Sequence, residues 1–152
     1  MTQVILVTGG FDPLHSGHIA YFKAAKEIDH TLTLAVGVNT DEWLTRKKGK
    51  PFMPIDERIT ILKELRDVDV VIEFRDNDDS ACDAINLVLQ VYDSVIFANG
   101  GDRGDTNTPE YEKYKDDERV QFVWGVGGDD KKNSSSWILR KWNEAATSVV
   151  TR

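Results

Sequence analysis

The chain has 152 residues, 40% of them hydrophobic and 30% charged, and carries a net charge of −7; this is the composition of one globular domain with its own core. So acidic a chain excludes general nucleic-acid binding, which needs a basic face to neutralise phosphates. The single cysteine, Cys82, excludes an intramolecular disulfide and a Cys-rich zinc site.

The chain order alternates. QVILVTG (3–9) is a short β-branched apolar run ending in glycine, which predicts a buried strand, and SGHIAYFKAAKEI (16–28) repeats its apolar residues at helical spacing behind Ser16, a candidate N-cap. TLTLAVGV (31–38) reads as a second strand, NTDEWLTR (39–46) as a helix start with acids in its first turn, and KKGKPFMP (47–54) as a loop. An amphipathic helix over 55–68 and a strand over 70–74 follow, then a loop-and-cap DNDDS and a helix over 81–92 that takes Cys82 into the core. The rest reads as strand 94–99, a long polar loop from residue 100, a short helix 110–118, strand 120–126, loop 127–133 and a helix 134–145, with 146–152 loose.

Strands alternating with helices predict one domain, residues 1–152, of α/β class: a mainly parallel five-stranded Rossmann-like sheet with helices on both faces. Ligands of such sheets bind beyond the carboxyl ends of the strands. The polar segments 9–18, 39–50, 99–108 and 127–136 fall at those ends and are expected to converge on one cleft.

The first of them, GGFDPLHSGH (9–18), holds His15 and His18 three apart at a predicted helix start. Three readings compete: a metal pair, ordinary helix-start residues, or a phosphate site. Two histidines with no cysteine or third histidine nearby are too few for zinc. Glycines that let backbone approach a ligand, a helix N-terminus and two imidazole donors suit a phosphate on which charge develops. The cluster Arg46, Lys47, Lys48 and Lys50 stands out in an acidic chain and reads either as mobile point charges that close over phosphates or as a solvated charge run. Arg58 and Arg66, eight apart on one predicted helix, face the same way and are phosphate candidates or surface ion pairs. NGGD (99–102) offers backbone to a base or ribose, with Asp102 as a candidate partner for Mg²⁺. NSSSW (133–137) places Ser134, Ser135 and Ser136 at a helix start. Trp43, Trp124, Trp137 and Trp142 are read as packing residues, Trp137 lying near the cleft.

With these residues in place, GGFDPLHSGH resembles the G-x-F-D-x-x-H-x-G-H signature of the cytidylyltransferase-like nucleotidyltransferases. DERITIL with LRDVD resembles that family's arginine-bearing helix, and NGGD and NSSSW fall where it has a glycine–aspartate turn and a hydroxyl-rich helix start. The resemblance runs from about residue 3 to about residue 140 and implies transfer of a nucleotidyl group from CTP or ATP, with Mg²⁺, to a phosphorylated small molecule, releasing pyrophosphate. Carried over by position, it makes His15 and His18 stabilise the transition state at the α-phosphate, has Lys47 or Lys48 and Arg66 hold phosphates, and gives Ser134, Ser135 and Ser136 the β- and γ-phosphates. Gly9, Gly10, Phe11, Asp12, Gly17, Asp41, Arg58, Asn99, Gly101 and Asp102 become nucleotide-binding residues, with no resident metal ligands. Two branches fit best: the glycerol-3-phosphate cytidylyltransferases by length, and the heptose-1-phosphate adenylyltransferase domains by the GGD turn. The arginine in the cytidylyltransferases' R-T-E-G-I-S-T element has no counterpart in DDKKNSSS (129–136). A non-catalytic nucleotide-binding module of the same fold is the alternative. A cytoplasmic protein is expected, because the N-terminus lacks a basic segment leading into a long apolar run and no run approaches ~18 apolar residues; a homodimer and no membrane partner complete the expectations.

Overall fold

The computed structural model describes residues 2–100, 108–128 and 134–150; Gly101 and Asp102 lie outside them. The strands β1 (Gln3–Gly9), β2 (Thr33–Val38), β3 (Val70–Glu73), β4 (Ser94–Gly100) and β5 (Val120–Val126) form one parallel sheet in the order β3-β2-β1-β4-β5. Helices α1 (Ser16–Ile28), α2 (Asp41–Lys48), α3 (Ile55–Lys63), α4 (Cys82–Leu89) and α5 (Pro109–Tyr114) lie in the connections, and α6 (Ser135–Val150) follows β5.

The two-residue period of a strand divides the core. On β1, Val4 and Leu6 join Ala84, Ile85 and Val88 of α4 on one face, while Ile5 and Val7 join Phe22 and Ala25 of α1 and Leu62 of α3 on the other. Both faces are covered, which is why β1 reads as continuous apolar residues. No described helix is long and apolar enough to cross a membrane.

The strand order makes the chain build outward from β1 to β3 and then return to β4, so β1 and β4 bound the switch point at which such sheets bind ligands. The β4–β5 register shifts between Ala98 and Gly100, bracketing Asn99 at that end of the sheet.

Several boundaries differ from the sequence reading. Lys47 and Lys48 join Arg46 in the last turn of α2 rather than beginning a loop; Gly49 ends that helix at φ 96°, where a side chain is strained. Helix α3 stops at Lys63 rather than 68, because Glu64 closes it with bonds to Ile61 and Leu62 and two further tight turns seat Val68 in the core before β3. Helix α4 ends at Leu89, α5 spans Pro109–Tyr114, and α6 continues to Val150 where a loose tail was expected. Cys82 is buried, as expected, and burial pushes its thiol pKa up, away from nucleophile chemistry.

Phe22, 1% exposed, seats α1 on the sheet. Phe22→Ala is expected to cost about 3–5 kcal/mol in urea unfolding.

Candidate active site

The loop after β1 is built from close packing. A Cβ on Gly9 would stand 3.0 Å from the Phe11 ring, and one on Gly10 3.0 Å from Leu44 Cδ2. Neither glycine supplies positive φ; in this loop that falls on Phe11, at 53°, a conformation costly for a bulky residue and typical of positions held by their surroundings. The Phe11 ring meets His18 edge-on at 5.0 Å and Phe22 at 5.3 Å.

The N-cap of α1 is His15, with Ser16 the first helical residue, a correction to the expected Ser16 cap. His15 Nδ1 accepts the Gly17 N–H at 3.0 Å, and His18 Nδ1 accepts the His15 N–H at 3.2 Å. Two histidines thus form the reciprocal capping box more often made by Ser and Glu. Their rings stack at 3.9 Å between centroids, 29° apart. A neutral imidazole whose Nδ1 accepts carries its proton on Nε2, so the backbone fixes both tautomers. Burial and the neighbouring His15 lower the His18 pKa from 6.5 to about 3. His18 is therefore a neutral donor at pH 7.

The polar residues around this loop hold it in place. Asp12 is 2% exposed; its carboxylate accepts the N–H groups of Phe52 and Met53, each at 2.6 Å, and pairs with Lys48 at 3.1 Å. Lys48 also donates to the Asp12 carbonyl. Asp12 thereby clasps the α2–α3 loop to the first loop. Arg58 is 1% exposed and donates to Gly10 O at 2.9 Å, Asn39 O at 2.7 Å, Met53 O at 3.0 Å and the Asp41 carboxylate at 2.6 Å. The expectation that Arg58 reaches phosphate, and its alternative of a surface ion pair, are both corrected: the guanidinium is a buried tie, and Asp41 is its counter-ion.

Arg66 is corrected as well. With α3 ended at Lys63, Arg66 is exposed in the turn that enters β3, at the amino-terminal edge of the sheet, so its own chain does not bring it to the loops at the carboxyl ends. Lys47 lies over the Trp43 ring, 4.8 Å from its centroid, beside Lys48 on the last turn of α2. Arg46 turns to Asp79, at 3.0 Å, and to the Asp76 carbonyl.

The start of α6 does reach the first loop. Ser135 Oγ donates to Pro13 O at 2.8 Å, Ser134 accepts the Trp137 N–H at 3.2 Å as a cap, and Ser136 is exposed. At the switch point, Asn99 is 1% exposed and its Oδ1 has no hydrogen-bond partner among the described residues. Trp137 and Trp142, 41% and 71% exposed, are not the packing residues the sequence suggested.

Sequence reasoning missed Asp76 and Tyr21. Asp76, 2% exposed, accepts from Asn39 Nδ2, Thr40 N and Thr40 Oγ1, fixing the β2–α2 junction; its only signal was one acid among several in DNDDS. Tyr21 donates to the Ala98 carbonyl and packs its backbone against Gly127, joining α1 to the ends of β4 and β5. Among the described residues no group of three or more His, Cys, Asp or Glu is placed to hold a metal. Asp12, Asp41 and Asp76 are occupied by backbone and side-chain donors, and Asp102, the candidate partner for Mg²⁺, lies outside the described residues.

Two outcomes test this geometry. Arg58→Met keeps the stem but strands buried carbonyls and Asp41; we expect a loss of about 3 kcal/mol, at the lower end for a buried pair because water reaches Asp41, read by urea unfolding. For His18, the unfolded imidazole takes a proton below 6.5 that the folded site refuses until about 3. Its contribution is full above pH 6.5 and drains away as pH falls toward 3. His18→Gln, which keeps the capping bond but does not titrate, should flatten that part of the Tm-against-pH curve.

Comparison with known proteins agrees with this architecture. Residues 6–147 match the family described as cytidylyltransferase-like. The chain is 32% identical over 133 residues to the bifunctional protein HldE of Photorhabdus laumondii and 30% identical over 131 residues to that of Proteus mirabilis, covering 85% of this chain and 24% of each relative. It spans about a quarter of the length of these curated relatives. The lipopolysaccharide core biosynthesis protein from Thermoplasma volcanium superposes with a TM-score of 0.65 at 27% identity, over 88% of this chain and 99% of that one. On the strength of a match over nearly its whole length, the chain belongs to the cytidylyltransferase-like family.

Proposed function

We propose that this domain is a nucleotidyltransferase that moves a nucleoside monophosphate from ATP to a sugar 1-phosphate, a heptose 1-phosphate being the first candidate, with release of pyrophosphate. The observation that carries the reading is the histidine capping box. The backbone occupies both Nδ1 atoms, so each ring carries its proton on Nε2, and the reading assigns those two N–H groups to the oxygens of an α-phosphate. As an acceptor phosphate oxygen attacks that phosphorus, negative charge grows on its oxygens, and fixed donors stabilise the transition state more than the ground state. The P–O bond to the pyrophosphate breaks as the new P–O bond forms, so the protein's work is positioning and charge stabilisation.

His15 and His18 hold the α-phosphate. Lys47, Lys48 and the start of α6 at Ser134–Ser136 hold the polyphosphate tail. A Mg²⁺ ion carried by the nucleotide's phosphates would supply neutralisation of their charge. Gly9, Gly10 and Phe11 shape the phosphate side of the loop, while Asp12, Asp41 and Arg58 are positioning residues. Support for ATP over CTP comes from the absent arginine in DDKKNSSS, and support for a sugar phosphate from the lipopolysaccharide core biosynthesis protein and the two HldE relatives.

The test is pyrophosphate release with Mg²⁺, offering ATP and CTP each with heptose 1-phosphate and with glycerol 3-phosphate. The expected signal is ATP with heptose 1-phosphate. A CTP and glycerol 3-phosphate signal would reassign the substrates, and nucleotide binding with no turnover across the panel would make the domain a binding module. In the active pair, His18→Gln should lower kcat at least ~100-fold, as loss of one charge-stabilising donor does, with KM for nucleotide within a few-fold.

A further inference from the structure

Helix α2, DEWLTRKK, carries Trp43 and Lys47 at i, i+4 spacing. Residues so spaced share a helix face, and side chains lean toward the helix N-terminus, so the lysine reaches back over the ring one turn before it. The Lys47 ammonium lies 4.8 Å from the centroid of the Trp43 ring. An ammonium over an aromatic face is attracted by the ring's quadrupole. The ring has no net charge, so this contact holds the cation without cancelling it. Lys48, next in the chain, is held differently: Asp12 meets its ammonium with a carboxylate at 3.1 Å and with a carbonyl.

The ring itself is fixed from two sides. Buried Asp76 accepts from Thr40 N at 2.8 Å and from Thr40 Oγ1 at 2.7 Å, and Thr40 Oγ1 in turn accepts the Trp43 N–H at 3.1 Å. These bonds seat the backbone of Trp43 in the first turn of α2. On the other side the half-buried indole runs past the loop after β1: a Cβ on Gly10 would stand 3.6 Å from Trp43 Cζ3. Trp43 thereby joins Lys47 to the loop that leads into His15 and His18.

We propose that Trp43 is a positioning residue: its ring keeps the Lys47 ammonium beside the histidine loop, in place for the nucleotide's phosphates. The inference rests on the function proposed above, which puts Lys47 on those phosphates. A lysine loose in the empty site loses rotamer freedom when it meets a ligand, and one already laid on a ring loses less. A carboxylate in place of the ring would also hold the ammonium, but it would compete with the phosphate for it. The sequence reads Trp43 as a packing residue, and its packing against Gly10 is what gives the lysine a fixed seat.

Titration calorimetry with ATP and Mg²⁺, without acceptor, reads the effect at equilibrium. Lys47→Met should weaken ATP about tenfold, as loss of a charged contact does. Trp43→Leu should weaken it about fourfold, the scale of a cation–π contact at an exposed site, and Trp43→Phe, which keeps an aromatic face, should stay within about twofold of the wild type. In the Lys47→Met background Trp43→Leu should add nothing, because a residue that acts through the lysine has no effect without it; a further loss of about fourfold there means that the ring acts on its own and overturns the proposal. NMR gives a reading that a folding defect does not imitate. The Lys47 ε-methylene protons should lie upfield under the ring current in the wild type and return to the ordinary lysine position in Trp43→Leu; an unshifted wild-type resonance overturns the contact. Wild-type affinity in Trp43→Leu beside a weakened Lys47→Met removes the positioning role and leaves the nucleotide reading intact. A wild-type chain that does not bind ATP, or a Lys47→Met variant that binds it undiminished, overturns the nucleotide reading of Lys47 and this inference with it.

Discussion

A buried guanidinium is stable only where acceptors surround it, and Arg58 has them from four separate places in the chain: Gly10, Asn39, Met53 and Asp41. Those places are the loop after β1, the end of β2, the α2–α3 loop and the start of α2. Each acceptor would be misplaced if any of these segments moved, so the single side chain fixes their relative positions. Asp12, two residues beyond Gly10, supplies the opposite charge, receiving two backbone N–H groups and Lys48. Together a buried cation and a buried anion, each satisfied mostly by backbone, set the floor of the candidate site. The cost of burying them is offset because both are paired and hydrogen-bonded.

The histidines depend on that floor. Their chemistry is decided less by the imidazoles than by the two N–H groups that hold Nδ1 on each ring. Capping uses Nδ1 of each ring and the proposed catalysis would use Nε2, so the structural and functional readings of His15 and His18 are compatible rather than competing. Burial of His18 against Phe11 adds the second element, a ring kept neutral far below physiological pH. A neutral donor answers charge as it develops on a phosphate without binding the ground-state anion as tightly as an imidazolium would.

Charge is distributed to match. The chain is acidic overall, yet its cations gather on the last turn of α2, where they also face the negative end of that helix, and across from them on α6.

By itself the sequence determined the α/β class, the strand positions and the loop that carries the histidine pair, because these are local: apolar β-branched runs, helical spacing and glycine at strand ends are written within a few residues of where they act. It also marked Ser134–Ser136 as a helix start, since a cap is a local bond. Only the tertiary structure decided what Arg58, Asp12 and Asp41 do. A guanidinium near Asp41 and 48 residues from Gly10 looks in sequence like any surface arginine, and its acceptors are main-chain carbonyls, which carry no residue signature. Likewise Arg66 seemed to share a face with Arg58 until two tight turns ended α3 early, and Lys50 and Arg140 became neighbours of one cavity only when α6 came to lie beside the α2–α3 loop. Periodicity specifies which residues face inward; which distant backbone atoms a buried charge will meet is fixed only when the whole sheet and its crossovers have closed.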